Sequence, residues 1–335
     1  MNWFETLTGV REESPEQVRR SFRIEGNRLT SLANGQSWQF GNLETPSLEE
    51  LRTRAASIAS AGNLSLREVV ADVQQLHCQP RNSGALFQVA SQFNLLEMVS
   101  PENTPEMGIG IYERDFTQGP ACAMAAGAGT IYRNYFVRVN DQTGQSANLQ
   151  IDCVADLGRA LGNTGHSLWK MKNGYLLPTK EGLQLISERL SKADEEERRQ
   201  LRGYLRIGVQ WSTEVTQTLQ SPSEPQIVTQ AYCSALPVAY ASLRAQQWEP
   251  FARLILEAAY EATLAAAILN QNQTGNSSVY LTLLGGGAFG NEQSWISDAI
   301  LRAVRMYRRN DLDIAIVSYG SPNPAVQRLL RDATD

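Results

Sequence analysis

Two periodicities alternate along this chain, and together they predict its architecture. Short blocks that are apolar almost throughout, namely residues 85–90, Val279 to Leu284 and Ile314 to Val317, have the length of buried strands. Longer stretches repeat apolar residues at helical spacing: Trp248, Phe251, Leu254, Ile255, Ala258 and Ala262 within 247–270, and Trp295, Ile296, Ala299, Ile300, Ala303 and Val304 within 292–309. The closing order of strand, helix and strand makes a parallel pair joined by a right-handed crossover. Strands apolar on both faces need helices on both sides, so the pattern predicts a three-layer α/β/α sandwich.

The remaining segments are less regular. Residues 1–66 are polar and broken up, with a hairpin expected around Asn34-Gly35 and a helix from Leu48 capped by Ser47. They read as a small N-terminal extension before a main domain at 67–335. A short amphipathic helix is expected over 66–76, followed by the strand at 85–90 and a long irregular stretch from Ser91 to Gly119, a length that usually signals function or disorder. Gly119-Pro120 opens a helix over 121–136, because proline suits the first turn, and 136–140 reads as a strand. A hairpin turning at Asn173-Gly174, a helix over 180–202, and strands at 203–217 and 227–237 joined by a turn at 221–225 place an insertion around 150–235.

Composition narrows the function classes. At 335 residues the chain suits one large core with an appendage, and 42% hydrophobic against 19% charged residues describes a folded globular protein. A net charge of −5 leaves no excess cation for a phosphate backbone, so general nucleic-acid binding is not expected. The first residues carry no basic and apolar leader and no stretch has the length of a membrane span, which makes a cytoplasmic protein without membrane attachment the expectation. Four scattered cysteines and two histidines point to neither a metal cluster nor a disulfide framework, and no cofactor is called for. Cys122, in the first turn of a helix, is the one thiol with a route to a lowered pKa.

The candidate chemistry centres on Gly285-Gly286-Gly287-Ala288-Phe289-Gly290-Asn291, which follows a buried strand and precedes a helix. Glycines there let a ligand approach the main chain, and loop N–H groups with the helix N-terminus attract anions; Asn291 is placed to cap that helix. The letters satisfy the dinucleotide pattern G-x-G-x-x-G, but a Rossmann unit places that loop first, whereas only one strand can follow here. The Lys-Ser/Thr pair of a nucleotide triphosphatase loop is replaced by Asn291-Glu292.

This closing unit resembles the C-terminal part of a macrodomain, the ADP-ribose-binding fold, over about 45 residues. The resemblance implies a mixed sheet, a diphosphate wrapped by Gly285 to Asn291, and an adenine lying against Tyr319 or Phe289. It also implies an earlier loop after a buried strand whose asparagine contacts the distal ribose, and Asn94 holds that position. Three consecutive glycines are similar to the poly(ADP-ribose) glycohydrolase branch, although its adjoining pair of glutamates is not found after Gly287.

Glu113 and Asp115, just before the helix that starts at Gly119-Pro120, are candidates to activate a water for attack on a glycosidic carbon, or else to cap the helix or pair with Arg114. Glu97 is a further acid in reach, with an equally open structural role. Hydrolysis of an ADP-ribosyl linkage, with ADP-ribose or a related nucleotide as ligand and an ADP-ribosylated macromolecule as partner, is the expected function; the alternatives are a non-catalytic module that binds ADP-ribose or a signalling nucleotide, and an interaction protein whose glycine loop merely packs.

Overall fold

The computed structural model describes residues 1–59, 62–217 and 224–333. Its centre is a seven-stranded sheet of β1 (Asn42–Glu44), β2 (Ser65–Val70), β3 (Leu86–Ala90), β4 (Gly208–Glu214), β5 (Ile227–Cys233), β6 (Ser278–Leu281) and β7 (Asp313–Ser318), in the order β1-β4-β5-β3-β6-β7-β2. The five strands from β5 to β2 run parallel, while β4 is antiparallel to both β5 and β1. The sheet is mixed and covered by helices on both faces, as expected.

Alternation along β3 shows how the faces are divided. Gln88 points to the long helix Ala245–Thr274 and donates to Thr263 Oγ1 at 2.9 Å. Its neighbour Phe87 points the other way and stacks between His77 and Tyr280, with ring centroids 3.7 and 4.6 Å away. A fully buried phenylalanine contributes about 1.5–3 kcal/mol. Burial lowers the His77 pKa to about 4, so this ring is neutral and packs; it is no catalyst. The long helix is buried along most of its length, and its alanines at 258, 259, 262, 265, 266 and 267 permit close approach on every side.

Several expected elements differ. Residues 65–70 form the edge strand β2, paired in parallel with β7, where the spacing suggested a helix; only Val73–His77 is helical. The edge position leaves Leu66 and Val69 half-buried on opposite faces, a pattern that local spacing does not separate from an amphipathic helix. The helix over 121–136 is two, Gln118–Ala125 and Gly127–Tyr135, because Thr216 intervenes: its N–H donates to Ala125 O and its hydroxyl accepts the Gly127 N–H. The helix over 180–202 breaks at Ala193, and Asp194 caps its second half. Of the strand expected at 136–140 only Arg138–Val139 is paired. Hairpins at Asn34-Gly35 and Asn173-Gly174 and the Ser47 cap are present. Ser221, Pro222 and Ser223 of the expected turn lie outside the described residues.

Residues 1–66 are not a separate extension. β1 is a strand of the main sheet and β2 begins at Ser65, so the expected boundary cuts through the sheet. Within 150–235, likewise, only the hairpin Trp169–Pro178 and its flanking helices stand outside the sheet, since β4 and β5 belong to it. Residues 1–40 carry two short helices and the three-stranded sheet over 22–39, which bury a second core on Leu96, Met98, Ile109, Tyr112 and Tyr135. Among the described residues no helix is long and apolar enough to cross a membrane.

An ion network locks the long helix to its neighbours. The fully buried carboxylate of Glu261 accepts from Arg52 Nε at 2.5 Å and from Arg302 Nη1 at 2.7 Å, arginines carried by the helices Leu48–Ala56 and Gln293–Met306. Burial pushes its pKa up, but the hydrogen bonds and charges of both arginines outweigh that and hold it below the usual carboxylate range. Removing one partner leaves buried charge uncompensated, so Glu261→Ala is expected to cost about 3–5 kcal/mol in urea unfolding. A depressed carboxyl pKa stabilises above the unfolded value and loses that contribution as pH falls through the folded value. The gap between wild type and variant should therefore close only below pH 4.5.

Candidate functional site

The carboxyl ends of β3, β6, β7 and β2 open into one cleft with two lobes. The smaller, of about 200 Å³, lies between the glycine loop and the segment after β3; the larger, of about 610 Å³, lies over the ends of β7 and β2. Asp115, Thr117, Gln118, Thr282 and Leu283 line both, so the lobes are continuous. The Gln118 carboxamide finishes β3 as a strand would, accepting from Ala90 N at 2.9 Å and donating to Gln88 O at 2.7 Å. A wider groove of about 1040 Å³ exists between the helices over 48–56 and 195–203, but its arginines are matched internally, Arg206 to Asp156 at 2.6 Å and Arg199 to Glu49 at 3.6 Å. No surplus charge is left there to recognise a ligand.

The glycine loop begins where β6 stops, at Leu281, three residues before the apolar run ends. Tyr260, from the long helix, donates its hydroxyl to Thr282 O at 2.7 Å and accepts the Leu284 N–H at 2.8 Å, replacing a strand partner. Gly285 has φ +73° and a Cβ there would lie 2.4 Å from Ala235 Cβ, so no other residue fits. The loop closes on itself through Gly286 N to Leu283 O, Gly290 N to Gly287 O and Asn291 N to Gly285 O. Among the described residues the N–H groups of Gly287, Ala288 and Phe289 have no acceptor. Consecutive free amides of this kind form an anion-binding concavity. Phe289 packs against Tyr175 and Tyr240, at 5.4 and 5.6 Å between centroids, and thereby fixes the loop to the hairpin.

Facing this loop across the smaller lobe is Glu97. The turn that presents it is strained, with Leu95 at φ +66°, and is held by Gln92 N to Leu96 O and Met98 N to Gln92 Oε1. Neither Glu97 carboxyl oxygen has a hydrogen-bond partner, although Arg133 Nη2 stands 3.6 Å away. Burial pushes the Glu97 pKa up to about 8; the Arg133 charge and the Tyr112 hydroxyl lower it and do not offset that. Burial thus favours the protonated form of a carboxyl that borders the same lobe as the free amides.

The chain matches no family model and no curated protein. Among solved structures it is similar to poly(ADP-ribose) glycohydrolase from Deinococcus radiodurans in complex with ADP-ribose, at 12% identity and a TM-score of 0.49 over 96% of this chain and 99% of that one. The apo form of the same protein aligns at 11% identity and a TM-score of 0.46, over 97% and 98% of the two chains. The enzyme from Thermomonospora curvata bound to the inhibitor ADP-HPD aligns at 12% and 0.44, over 95% of each.

The residues anticipated from sequence are only partly brought together. Gly285, Gly287, Ala288 and Phe289 line the smaller lobe, whereas Gly286, Gly290 and Asn291 do not. Asn291 lies one residue before the helix cap, which is Glu292, and its amide instead donates to Leu236 O at 2.8 Å. Tyr319 is 83% exposed on the rim of the larger lobe. Asn94 is fully buried outside the cleft, donating to Gln150 Oε1 at 2.8 Å and accepting from Leu96 N at 3.1 Å. Glu113 turns to the N-terminal unit and accepts the Trp3 N–H at 2.9 Å. Asp115 alone of those three lines the cleft, where Oδ1 accepts the Thr117 N–H at 2.9 Å. Cys122 is buried and its thiol pKa is raised, which removes it as a nucleophile.

Two cleft residues went unmarked. Asp72, after β2, caps the next helix with Oδ1 only and lines the larger lobe, and Phe116 is 96% exposed on the same lobe. Asp72 follows a strand whose Arg67 and Glu68 hide its strand character, and nothing local marked Phe116.

A raised carboxyl pKa has a defined linkage. Between pH 4.5 and about 8 the unfolded chain releases the Glu97 proton that the folded one keeps, so this site loses stability as pH rises. Glu97→Gln is neutral throughout. Melting temperatures of both proteins from about pH 5 to about pH 8 should diverge, the variant gaining relative to wild type as pH rises.

Proposed function

We propose that this protein binds ADP-ribose or a closely related nucleotide and hydrolyses an ADP-ribosyl linkage, acting in the cytoplasm on ADP-ribosyl groups carried by a macromolecule. The observation that carries the reading is that three loop amides without an acceptor and the buried Glu97 carboxyl, whose pKa burial raises, border one small lobe. The diphosphate would lie on the amides of Gly287 to Phe289. The base would occupy the larger lobe against Tyr319, with the free oxygen of Asp72 accepting an exocyclic amine. The distal ribose would then reach Glu97.

Two carboxyl groups in different environments can divide acid and base work. Glu97, whose protonated form burial favours, gives its proton to the leaving oxygen as the glycosidic bond breaks. Asp115, at the junction of the lobes, takes a proton from the water that adds to the anomeric carbon. A second reading, a module that binds without turnover, is favoured by the engagement of Asn94 and Glu113 elsewhere.

Calorimetry with ADP-ribose and a demodification assay on an ADP-ribosylated protein separate the two. A Cβ on Gly287 would meet only open space, so Gly287→Glu should fold normally and weaken ADP-ribose binding by roughly 100-fold through charge repulsion in the amide nest. Asp115→Asn should lower kcat by about 100-fold or more with ADP-ribose affinity retained. Binding without any turnover by wild type supports the module; no binding removes both readings.

A further inference from the structure

Residues 1–40 reach the cleft from behind, through the turn that carries Asp115. Glu12 is spread over three donors: Oε1 accepts the Ile109 N–H at 2.9 Å and the Tyr135 hydroxyl at 2.5 Å, and Oε2 accepts the Gly110 N–H at 2.7 Å. The two amides sit at the start of the 3₁₀ turn Gly110–Arg114, and Tyr135 ends the helix that packs beside it. Trp3 adds two bonds, its indole N–H to Ile109 O at 2.9 Å and its backbone N–H to Glu113 Oε2 at 2.9 Å. The fit leaves no room for side chains: a Cβ on Gly108 would lie 2.8 Å from Glu12 Oε2, and one on Gly110 2.2 Å from Asn2 Nδ2.

The rest of the turn holds the backbone at two carboxyl residues that line the smaller lobe, Glu97 and Asp115. Tyr112, in its middle, accepts the Glu97 N–H on its hydroxyl at 3.0 Å. Asp115 ends it, donating its N–H to Tyr112 O at 3.1 Å. Five residues thus connect Glu12 and Trp3 on one side to Glu97 and Asp115 on the other. Leu96 and Met98, which flank Glu97, are packed in the same N-terminal core as Phe4 and Val10. Charge-assisted bonds from one carboxylate to consecutive amides are short and directional, so they fix where such a turn begins.

We propose that Glu12 is a positioning residue for Asp115 and Glu97, and that residues 1–40 act as a built-in clamp that sets the spacing of these two carboxyls. The catalytic half of this rests on the hydrolase reading of the cleft; the clamp itself does not.

The test uses the full chain with Glu12→Gln, Glu12→Asp and Trp3→Phe, read by amide hydrogen exchange, ADP-ribose calorimetry and demodification kinetics. Glu12→Gln should speed exchange over 109–117 by about 10-fold or more while β3 and β6 stay protected, and should lower kcat by roughly 10-fold with ADP-ribose affinity within about twofold. Glu12→Asp, which keeps the charge, should recover part of the rate. Trp3→Phe keeps the ring and loses one bond, so it should show the same local pattern more weakly, and it serves if Glu12→Gln fails to fold. Arg23→Ala, on the exposed face of the same unit, should change nothing. Unchanged exchange over 109–117, or a rise spread evenly over the chain that accounts for the lost rate, overturns the clamp. If wild type turns over no ADP-ribosylated substrate the hydrolase reading fails separately, and the exchange pattern still decides the clamp.

Discussion

The hydroxyl of Tyr260 lies where β6 stops pairing with its neighbours, and by donating to Thr282 O while accepting from Leu284 N it satisfies backbone groups that the sheet no longer serves. Leu284 N also donates to Thr282 O at 2.9 Å, so the phenol reinforces a turn that the chain closes on itself as it leaves the sheet. The glycine loop starts from that point, and Gly287, Ala288 and Phe289, whose amides have no acceptor among the described residues, line the cleft. The long helix that carries Tyr260 is in turn fixed by the arginines around Glu261, the next residue along. Core electrostatics and site geometry are therefore joined through adjacent residues of a single helix.

The cleft itself is assembled from two cores. Its glycine wall belongs to the main sheet and the long helix, whereas its acidic wall, Glu97 to Asp115, is packed against the N-terminal unit. Rigid elements position groups better than free loops do, and the irregular stretch from Ser91 to Gly119 acquires that rigidity by borrowing it. Burial of Glu97 without hydrogen bonds and the positive φ of Leu95 are both unfavourable in isolation. Such features persist where surrounding structure over-determines them, and here they converge on one small lobe.

The features legible in the sequence were those decided by near neighbours. The apolar runs that became β3, β6 and β7, the helix faces of 247–270 and 292–309, the two Asn-Gly hairpins and the Ser47 cap all depend on residues within a turn or two. The glycine loop was legible for the same reason, since glycine at a strand end has few other uses. What escaped was set at a distance. Ser65–Val70 is a strand only because β7 lies beside it, and the break after Ala125 exists because Thr216 supplies the missing bonds. Asn94 and Glu113 had suitable chemistry and suitable order in the chain, but their directions are fixed by Gln150 and Trp3. Glu97, an isolated acid inside the run Leu95-Leu96-Glu97-Met98-Val99, was visible as unusual without its environment being knowable.

The strand order has a consequence for how this chain is made. Among the described residues β1 pairs only with β4 and β2 only with β7, partners that are made long after them. Until those partners are made, both strands have open hydrogen-bonding edges, the state in which nascent chains are most prone to wrong partners. Arg67 and Glu68 interrupt the apolar residues of β2 with charge, and in the finished protein Arg67 pairs with Asp313 on the strand for which it waited. The same two side chains that discourage premature association in the nascent chain thus help close the sheet at its far edge.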